Sequence, residues 1–341
     1  MAMLSYIIMF LSLGFIGLYF GSKLVIIGLE DIANHLGMSH LMVGLTILAI
    51  GTSLPEIAVS VIGGLDKLSG IATNIDGIVI GNKVGSFMIQ ITLILGILGL
   101  SQSIFVSKWV LKREGSMLFI SLFIFFIFSI DGVINRIEGL IMMIIYFIYL
   151  LLIIKSERRI ERKKEGEEFY IKEELEQDYF EPMEKILKES TLKQDIGIFL
   201  LGLVILLVAA EITVLAAIEL AVELRIPPNV IGILIVGLGT SLPELTADLT
   251  ALRRRSEGIA VGDILGSNIC DMLLATGSGA IISEFSVAPV ILFFDLPMLL
   301  IAVSLAYIFL WTEKTLKKWE ALILIGFFGF YVIIKLLYFQ I

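Results

Sequence analysis

Two carboxylates, Glu56 and Glu244, close the same six-residue phrase. Gly51-Thr52-Ser53-Leu54-Pro55-Glu56 recurs letter for letter as Gly239-Thr240-Ser241-Leu242-Pro243-Glu244, 188 residues later. Each copy sets a carboxylate, two hydroxyls and a proline inside an apolar run. An ionisable residue at membrane depth is costly, and its presence points to function. Proline removes an amide donor and clashes with the carbonyl one turn back, which frees carbonyls near Ile50 and Gly51. Such backbone is tolerated in a bilayer only where it is buried in protein or lines a hydrated cavity. Carbonyl, hydroxyl and carboxylate oxygens form an all-oxygen ligand set suited to hard cations such as calcium or sodium. Glu56 and Glu244 on opposed helices would bring two negative charges to one divalent ion. The plainer reading is a pair of proline-kinked packing helices with buried, protonated glutamates; two matching copies weigh against it.

A second block echoes the first. Gly81-Asn82-Lys83-Val84-Gly85-Ser86 answers Gly262-Asp263-Ile264-Leu265-Gly266-Ser267, and Gly44 answers Gly232. The spacing of Gly81 and Gly85, and of Gly262 and Gly266, lets helices approach closely. One turn beyond Ser86 and Ser267, on the same face, stand Gln90 and Asp271; the latter is a third acid in an apolar run. The chain is therefore an internal repeat, and the repeat carries the chemistry.

The elements that must position these groups are apolar helices. Hydrophobic residues make up 58% of the chain and charged residues 17%, with a mean hydropathy of +0.99; a soluble domain is nearer half apolar and a quarter charged. Stretches long enough to span a bilayer lie at 4–32, 40–65, 75–101, 113–131, 137–155, 195–224, 228–252, 258–283, 287–311 and 317–339. The expected fold is an all-α polytopic membrane protein of ten transmembrane helices, arranged as two inverted five-helix repeats. The first repeat covers 1–155 with its motif at about 40–101, and the second covers 195–341 with its motif at about 228–283. A charged linker, 156–194, joins them and reads as a solvated helix or flexible segment. The formal charge of −8 is concentrated there and in the loops, so it does not indicate nucleic acid. A single cysteine, Cys270, excludes an internal disulfide, and His35 and His40 read as loop residues rather than metal ligands. The first apolar stretch reads as a retained helix rather than a cleaved signal.

Lysine and arginine gather in alternate connections: Lys108, Lys112 and Arg113; Lys155 to Lys164; Arg253 to Arg255; Lys314, Lys317 and Lys318. By the positive-inside rule these connections and the central linker face the cytoplasm, and both termini face outward. The second and seventh spans then run in opposite directions, an arrangement characteristic of secondary transporters.

The paired phrases and Gly-Ser blocks resemble the two alpha-repeats of the sodium/calcium exchanger family, within the calcium/cation antiporter superfamily, and most of all its compact prokaryotic members. The resemblance covers essentially the whole chain. It implies a plasma-membrane antiporter that exchanges sodium for calcium by alternating access, needs no cofactor, is not an enzyme and works as a monomer. It further implies that Glu56 and Glu244 are the central calcium ligands, with the backbone carbonyls of Thr52 and Thr240. Ser53, Ser86, Ser241 and Ser267 would serve flanking sodium sites, with backbone at Ala49 and Gly237. Asp271 and Gln90 would stand beside the centre, and the first and sixth helices would slide against the rest. Proton-coupled relatives usually carry a Gly-Asn-Ala-Ala-Glu type phrase instead, which favours sodium; calcium/proton exchange is the runner-up, and a cation channel the alternative from another class.

Departures from the family pattern cluster in the first repeat. Phe87 and Gln90 stand where relatives have asparagines, and Lys83 shares a helix face with Ser86 and Gln90. Either Lys83 points at the site and takes a cation's place there, or it snorkels outward toward Asp76. Seven extra residues around Asp66, Asn74 and Asp76 read as a loop insertion. Lys23 and Glu211 occupy equivalent positions and are expected to pair if the first and sixth helices pack together, and Asp248 is expected to pair with Arg253 to Arg255. No protease motif is present.

Overall fold

The computed structural model describes residues 2–35, 49–71, 75–102, 104–106, 108–164, 191–253, 257–313 and 315–339. These are almost wholly helical. In chain order we number α1 (Ala2–His35), α2 (Ala49–Thr52 continued by Leu54–Ser69), α3 (75–101), α4 (Lys108–Phe128), α5 (Arg136–Lys164), α6 (Leu192–Leu224), α7 (228–253), α8 (257–282), α9 (291–313) and α10 (Lys318–Phe339). Among the described residues, 8 helices are long and apolar enough to cross a membrane. Not among them are α2, of which only 49 onward is described, and α4, whose first two turns carry Lys108, Lys112, Arg113 and Glu114. His35 is the last residue of α1 rather than a loop residue, and His40 lies outside the described residues. Helix α5 continues past its expected end to Lys164; the rest of the charged linker, 165–190, lies outside the described residues.

Burial sorts the helices into a centre and a shell. In the spanning windows of α3 and α8, 78% and 83% of residues are buried, against 28% in those of α1, α5 and α10. The outer faces expose Phe123, Ile137, Leu151, Phe293 and Leu337, side chains that belong against lipid.

Two short ladders show how the halves are related. Residues β1 (Ile104–Phe105) follow α3 and pair antiparallel with β4 (Thr315–Leu316), which follows α9. Residues β2 (Val133–Ile134) follow α4 and pair with β3 (Phe285–Ser286), which follows α8. Adding 181 to Ile104 gives Phe285, and adding 182 to Ile134 gives Leu316. Exchanging the repeats therefore turns one ladder into the other, as an approximate twofold axis requires. Each ladder also fixes which connections share an end of the bundle: those after α3 and α9 lie together, as do those after α4 and α8.

Helices α1 and α6 pack antiparallel through small residues. A methyl group at Gly21 would lie 2.8 Å from the Leu206 amide nitrogen, and one at Gly28 would lie 2.7 Å from that of Phe199. This register corrects the expected Lys23–Glu211 pair. Lys23 is level with residues near Val204, about two turns from Glu211. Equivalent positions on antiparallel helices face each other only where the axis passes, near residue 20 of α1.

Helices α3 and the first half of α7 touch backbone to backbone. A methyl at Gly81 would lie 2.6 Å from the Asn229 carbonyl, and one at Gly237 would lie 2.9 Å from the Ser86 amide. Without side chains at these points, the Ser86 face of α3 comes against the Thr240-Ser241 break of α7.

Candidate ion site

Both copies of the phrase break their helix at the same residue and in the same way. Ser53 has φ −77°, ψ 3° and Ser241 has φ −84°, ψ 5°, a region that is sparsely populated and common at active sites. Helix resumes at once, with the Ile57 amide on the Ser53 carbonyl (3.0 Å) and the Leu245 amide on the Ser241 carbonyl (3.2 Å). The proline at the second position of each new helix lacks the donor that would otherwise return to Gly51 or Gly239. Each new helix thus points its first turn, with Glu56 or Glu244, into the protein.

The partner helices are irregular at matching places. Helix α3 widens into a π-turn at Ile89–Ile94, which holds Gln90, and α8 does so at Asp271–Ala275. Such π-turns are frequent at functional sites. Further π-turns occur at Gly232–Val236 and Ile291–Asp295.

These elements bring most of the expected residues together, fully or almost fully buried: Thr52, Ser53, Glu56, Lys83, Ser86, Gln90, Thr240, Ser241, Glu244, Ser267 and Asp271. Ser86 Oγ is the hub of one half. It lies 2.9 Å from Glu56 Oε1, 2.8 Å from Ser241 Oγ and 3.1 Å from Gln90 Nε2. Gln90 Nε2 reaches on to Asp271 Oδ2 at 3.5 Å. In the other half Thr52 Oγ1 lies 3.1 Å from Ser267 Oγ, and Ser53 Oγ donates to the Ser267 carbonyl at 3.4 Å. The Gly237 carbonyl accepts from the Ser241 amide (3.1 Å) and from Thr240 Oγ1 (3.3 Å). Ala49 opens the helical turn that ends at Thr52.

Lys83 points inward. Its ammonium donates to the backbone carbonyl of Glu56 and to Asn82 Oδ1 at 2.9 Å. Asp76, the outer partner considered for it, pairs instead with Lys67 at 2.7 Å and accepts from the Ser286 amide. The inserted connection is therefore tied down by an ion pair of its own; Asn74 lies outside the described residues.

Three residues of the site escaped the sequence reading as ligand candidates. Asn82 Nδ2 donates to Thr240 Oγ1 at 2.8 Å, while Thr52 Oγ1 donates to Asp263 Oδ1 at 3.2 Å. Asn82 and Asp263 stand at mirror positions, one turn before Ser86 and Ser267, so the repeat offset was the signal that could have found them. Asp248, expected to pair with Arg253 to Arg255, is instead buried with Asp263 as its electrostatic neighbour, and Arg254 and Arg255 lie outside the described residues. It lies one turn beyond Glu244, on the same inward face of α7.

The centre is rich in acceptors and poor in donors. Glu56 Oε2, both oxygens of Glu244, Gln90 Oε1 and Asp271 Oδ1 are buried without a hydrogen-bond partner. Buried oxygens normally have one, and burying them unpaired is costly. Among the described residues no three carboxylate, imidazole or thiol groups converge on one point. An ion there would be held by a mixed shell of carboxylate, hydroxyl, amide and carbonyl oxygens, which suits sodium or calcium. Cys270, buried beside Asp271, is a free thiol.

An inverted pair of broken helices around a buried oxygen cluster is the architecture of secondary membrane transporters. The sequence pattern of the family described as sodium/calcium exchanger protein matches residues 6–155 and 195–337, and this chain belongs to that family. It is 30% identical to the sodium/calcium exchanger MaX1 of Methanosarcina acetivorans over 95% of this chain and 97% of that one. It is 31% identical to an uncharacterised membrane protein of Methanocaldococcus jannaschii over 93% of each. Among solved structures, the sodium-calcium exchanger NCX_Mj soaked with sodium and calcium superposes with a TM-score of 0.61 at 28% identity, covering 96% of this chain and 98% of that one.

Proposed function

We propose that this protein is a secondary antiporter that exchanges sodium for calcium at a site formed where α2, α3, α7 and α8 meet. The observation that carries the reading is the set of unpaired buried oxygens on Glu56, Glu244, Gln90 and Asp271 between two helix breaks of matching conformation. Calcium is held by Glu56 and Glu244 with the carbonyls of Thr52 and Thr240. Sodium ions use Ser53, Ser86, Ser241 and Ser267 with the carbonyls of Ala49 and Gly237, so the two cations compete for one oxygen set. Asp271 and Gln90 complete the centre.

Because the halves are inverted, the same ligands are reachable from either membrane face by equivalent movements. The antiparallel α1–α6 pair, joined closely through Gly14, Gly17, Gly21 and Gly28, moves as one body that slides against the rest. The spans number ten, with repeats at 1–155 and 195–341, the linker 156–194 in the cytoplasm and both termini outside. One chain holds both halves of the site and so is sufficient as a monomer in the plasma membrane.

The test is calcium uptake into proteoliposomes driven by an imposed sodium gradient with pH clamped on both sides. Uptake in the wild type and its loss in Glu56→Gln are expected. Uptake driven by a pH gradient alone would overturn sodium coupling in favour of calcium/proton exchange.

A further inference from the structure

We propose that the Lys83 ammonium is a built-in cation of the ion site, which stands in for one transported sodium and lowers the number of sodium ions exchanged per calcium. The inference rests on the exchange reading above.

Lys83 is fully buried on the central helix α3. Its hydrogen bonds go to the backbone carbonyl of Glu56, which is a proposed calcium ligand through its side chain, and to the amide oxygen of Asn82. A sodium ion would seek the same kind of partner, a carbonyl oxygen in a water-poor site. The buried carboxylates of Asp271, Glu56 and Glu244 attract the ammonium. All three carry oxygens with no hydrogen-bond donor. A buried ammonium persists only when opposite charge surrounds it, and these carboxylates provide that charge. The mirror position holds Ile264, an apolar residue, so only one of the two symmetric halves is filled in this way.

Charge counting gives the consequence. Asp248 and Asp263 interact with each other rather than with the ammonium, so the three carboxylates around Lys83, with its one positive charge, leave two negative charges at the centre. One calcium ion neutralises that, and so do two sodium ions. With an apolar residue at 83, a third sodium is needed for the same neutrality. Exchange by the wild type therefore moves no net charge, whereas exchange by a lysine-free variant does.

The experiment uses wild-type, Lys83→Met and Lys83→Arg protein in proteoliposomes, with potential set by a potassium gradient and valinomycin. Under a tenfold sodium gradient at zero potential, the calcium ratio held at equilibrium should be about tenfold higher for Lys83→Met than for the wild type, the work of one further sodium ion. Wild-type exchange should not respond to the imposed potential and Lys83→Met should respond, whereas Lys83→Arg, which keeps the positive charge, should at whatever rate it transports remain indifferent to potential. An unchanged calcium ratio and an unchanged potential response in Lys83→Met overturn the inference and leave Lys83 as a packing residue. Should Lys83→Met fail to fold, the wild type alone decides: exchange accelerated by potential overturns the inference, and exchange indifferent to it supports it. Absence of any sodium-driven uptake in the wild type is a separate result, and it removes the exchange reading itself.

Discussion

The two halves of the site share a backbone but differ in the direction of their hydrogen bonds. At the first break, the Thr52 hydroxyl gives its proton to Asp263. At the second, the Thr240 hydroxyl receives one from Asn82 and passes its own back to the Val236 carbonyl at 3.1 Å. The cause is one change of residue type, because a carboxylate only accepts whereas an amide nitrogen donates. Lys83 fixes the amide orientation by occupying Asn82 Oδ1, so that only Nδ2 faces Thr240. The same bias runs through three further mirror pairs, Ser60 against Asp248, Lys83 against Ile264 and Gln90 against Asp271, while Phe87 against Asn268 runs the other way. Acid collects in the second repeat and donors in the first. Symmetry of the backbone makes the two breaks alike, and asymmetry of the side chains makes the partners at each break differ.

The sharpest test of shared function between the halves is the central pair. Glu56→Gln and Glu244→Gln should each reduce sodium-driven calcium flux by more than about 100-fold, at least the loss seen when the outer support of a metal site is removed. Glu56 has a hydroxyl partner on one oxygen and Glu244 has none on either. If Glu56→Gln kept substantial flux while Glu244→Gln abolished it, the site would be held by one half only.

A smaller effect is expected one turn along the partner helices. Asp271→Asn should weaken half-saturating calcium by about tenfold, as the loss of a supporting charge does at metal sites. Gln90→Ala, which removes an uncharged group, should cost less in the same flux assay. Equal losses would mean that charge at this level is unimportant and that Asp271 acts as a hydrogen-bonding group.

Converting one half toward the other is milder still. Asn82→Asp turns the Thr240 contact into a copy of the Thr52 contact, with the hydroxyl donating to a carboxylate and the Val236 carbonyl released. A change of about three- to tenfold in half-saturating sodium is expected, the worth of one redirected hydrogen bond. No change would show that hydroxyl direction does not reach the ions.

Much of this arrangement was legible in the sequence, because proline, glycine and buried acid impose strong constraints on apolar helices. The breaks at Ser53 and Ser241 follow from the phrase, and close helix approach at Gly81 and Gly85 follows from the glycine spacing, whereas Gly262, with the same spacing, has open space beside it. Three-dimensional register was not legible. Lys23 and Glu211 share an offset but lie two turns apart, because equal offset does not mean contact on antiparallel helices. Closeness in sequence puts Asp248 beside Arg253, while its burial beside Asp263 depends on how α7 meets α8. The direction of Lys83 was undecided for the same reason: a lysine on a central helix can reach either way until its neighbours are placed, and Lys67 had already taken Asp76.

The repeats also differ away from the ions, in the acid–tyrosine pairs that tie their fourth and fifth helices together. In the first, Tyr149 of α5 donates to Glu114 of α4, which also accepts from its neighbour Arg113 at 2.7 Å. In the second, Tyr331 of α10 donates to Asp295 of α9 at 2.8 Å, and Lys335 closes an ion pair with Asp295 at 2.6 Å with both side chains fully buried. Removing one partner of a buried ion pair strands the other charge and costs about 3–5 kcal/mol, so Lys335→Met should lower the thermal unfolding midpoint in detergent clearly. Tyr149→Phe removes a hydrogen bond between membrane helices, worth about 1 kcal/mol or less, and Arg113 still neutralises Glu114; its midpoint should shift least of all the variants considered. Since neither pair touches the ion site, both variants should retain sodium-driven calcium uptake once folded. Loss of coupling in folded Lys335→Met would instead make the second repeat's ion pair part of the moving machinery, and the difference between the repeats would then extend from the ligands to the frame that carries them.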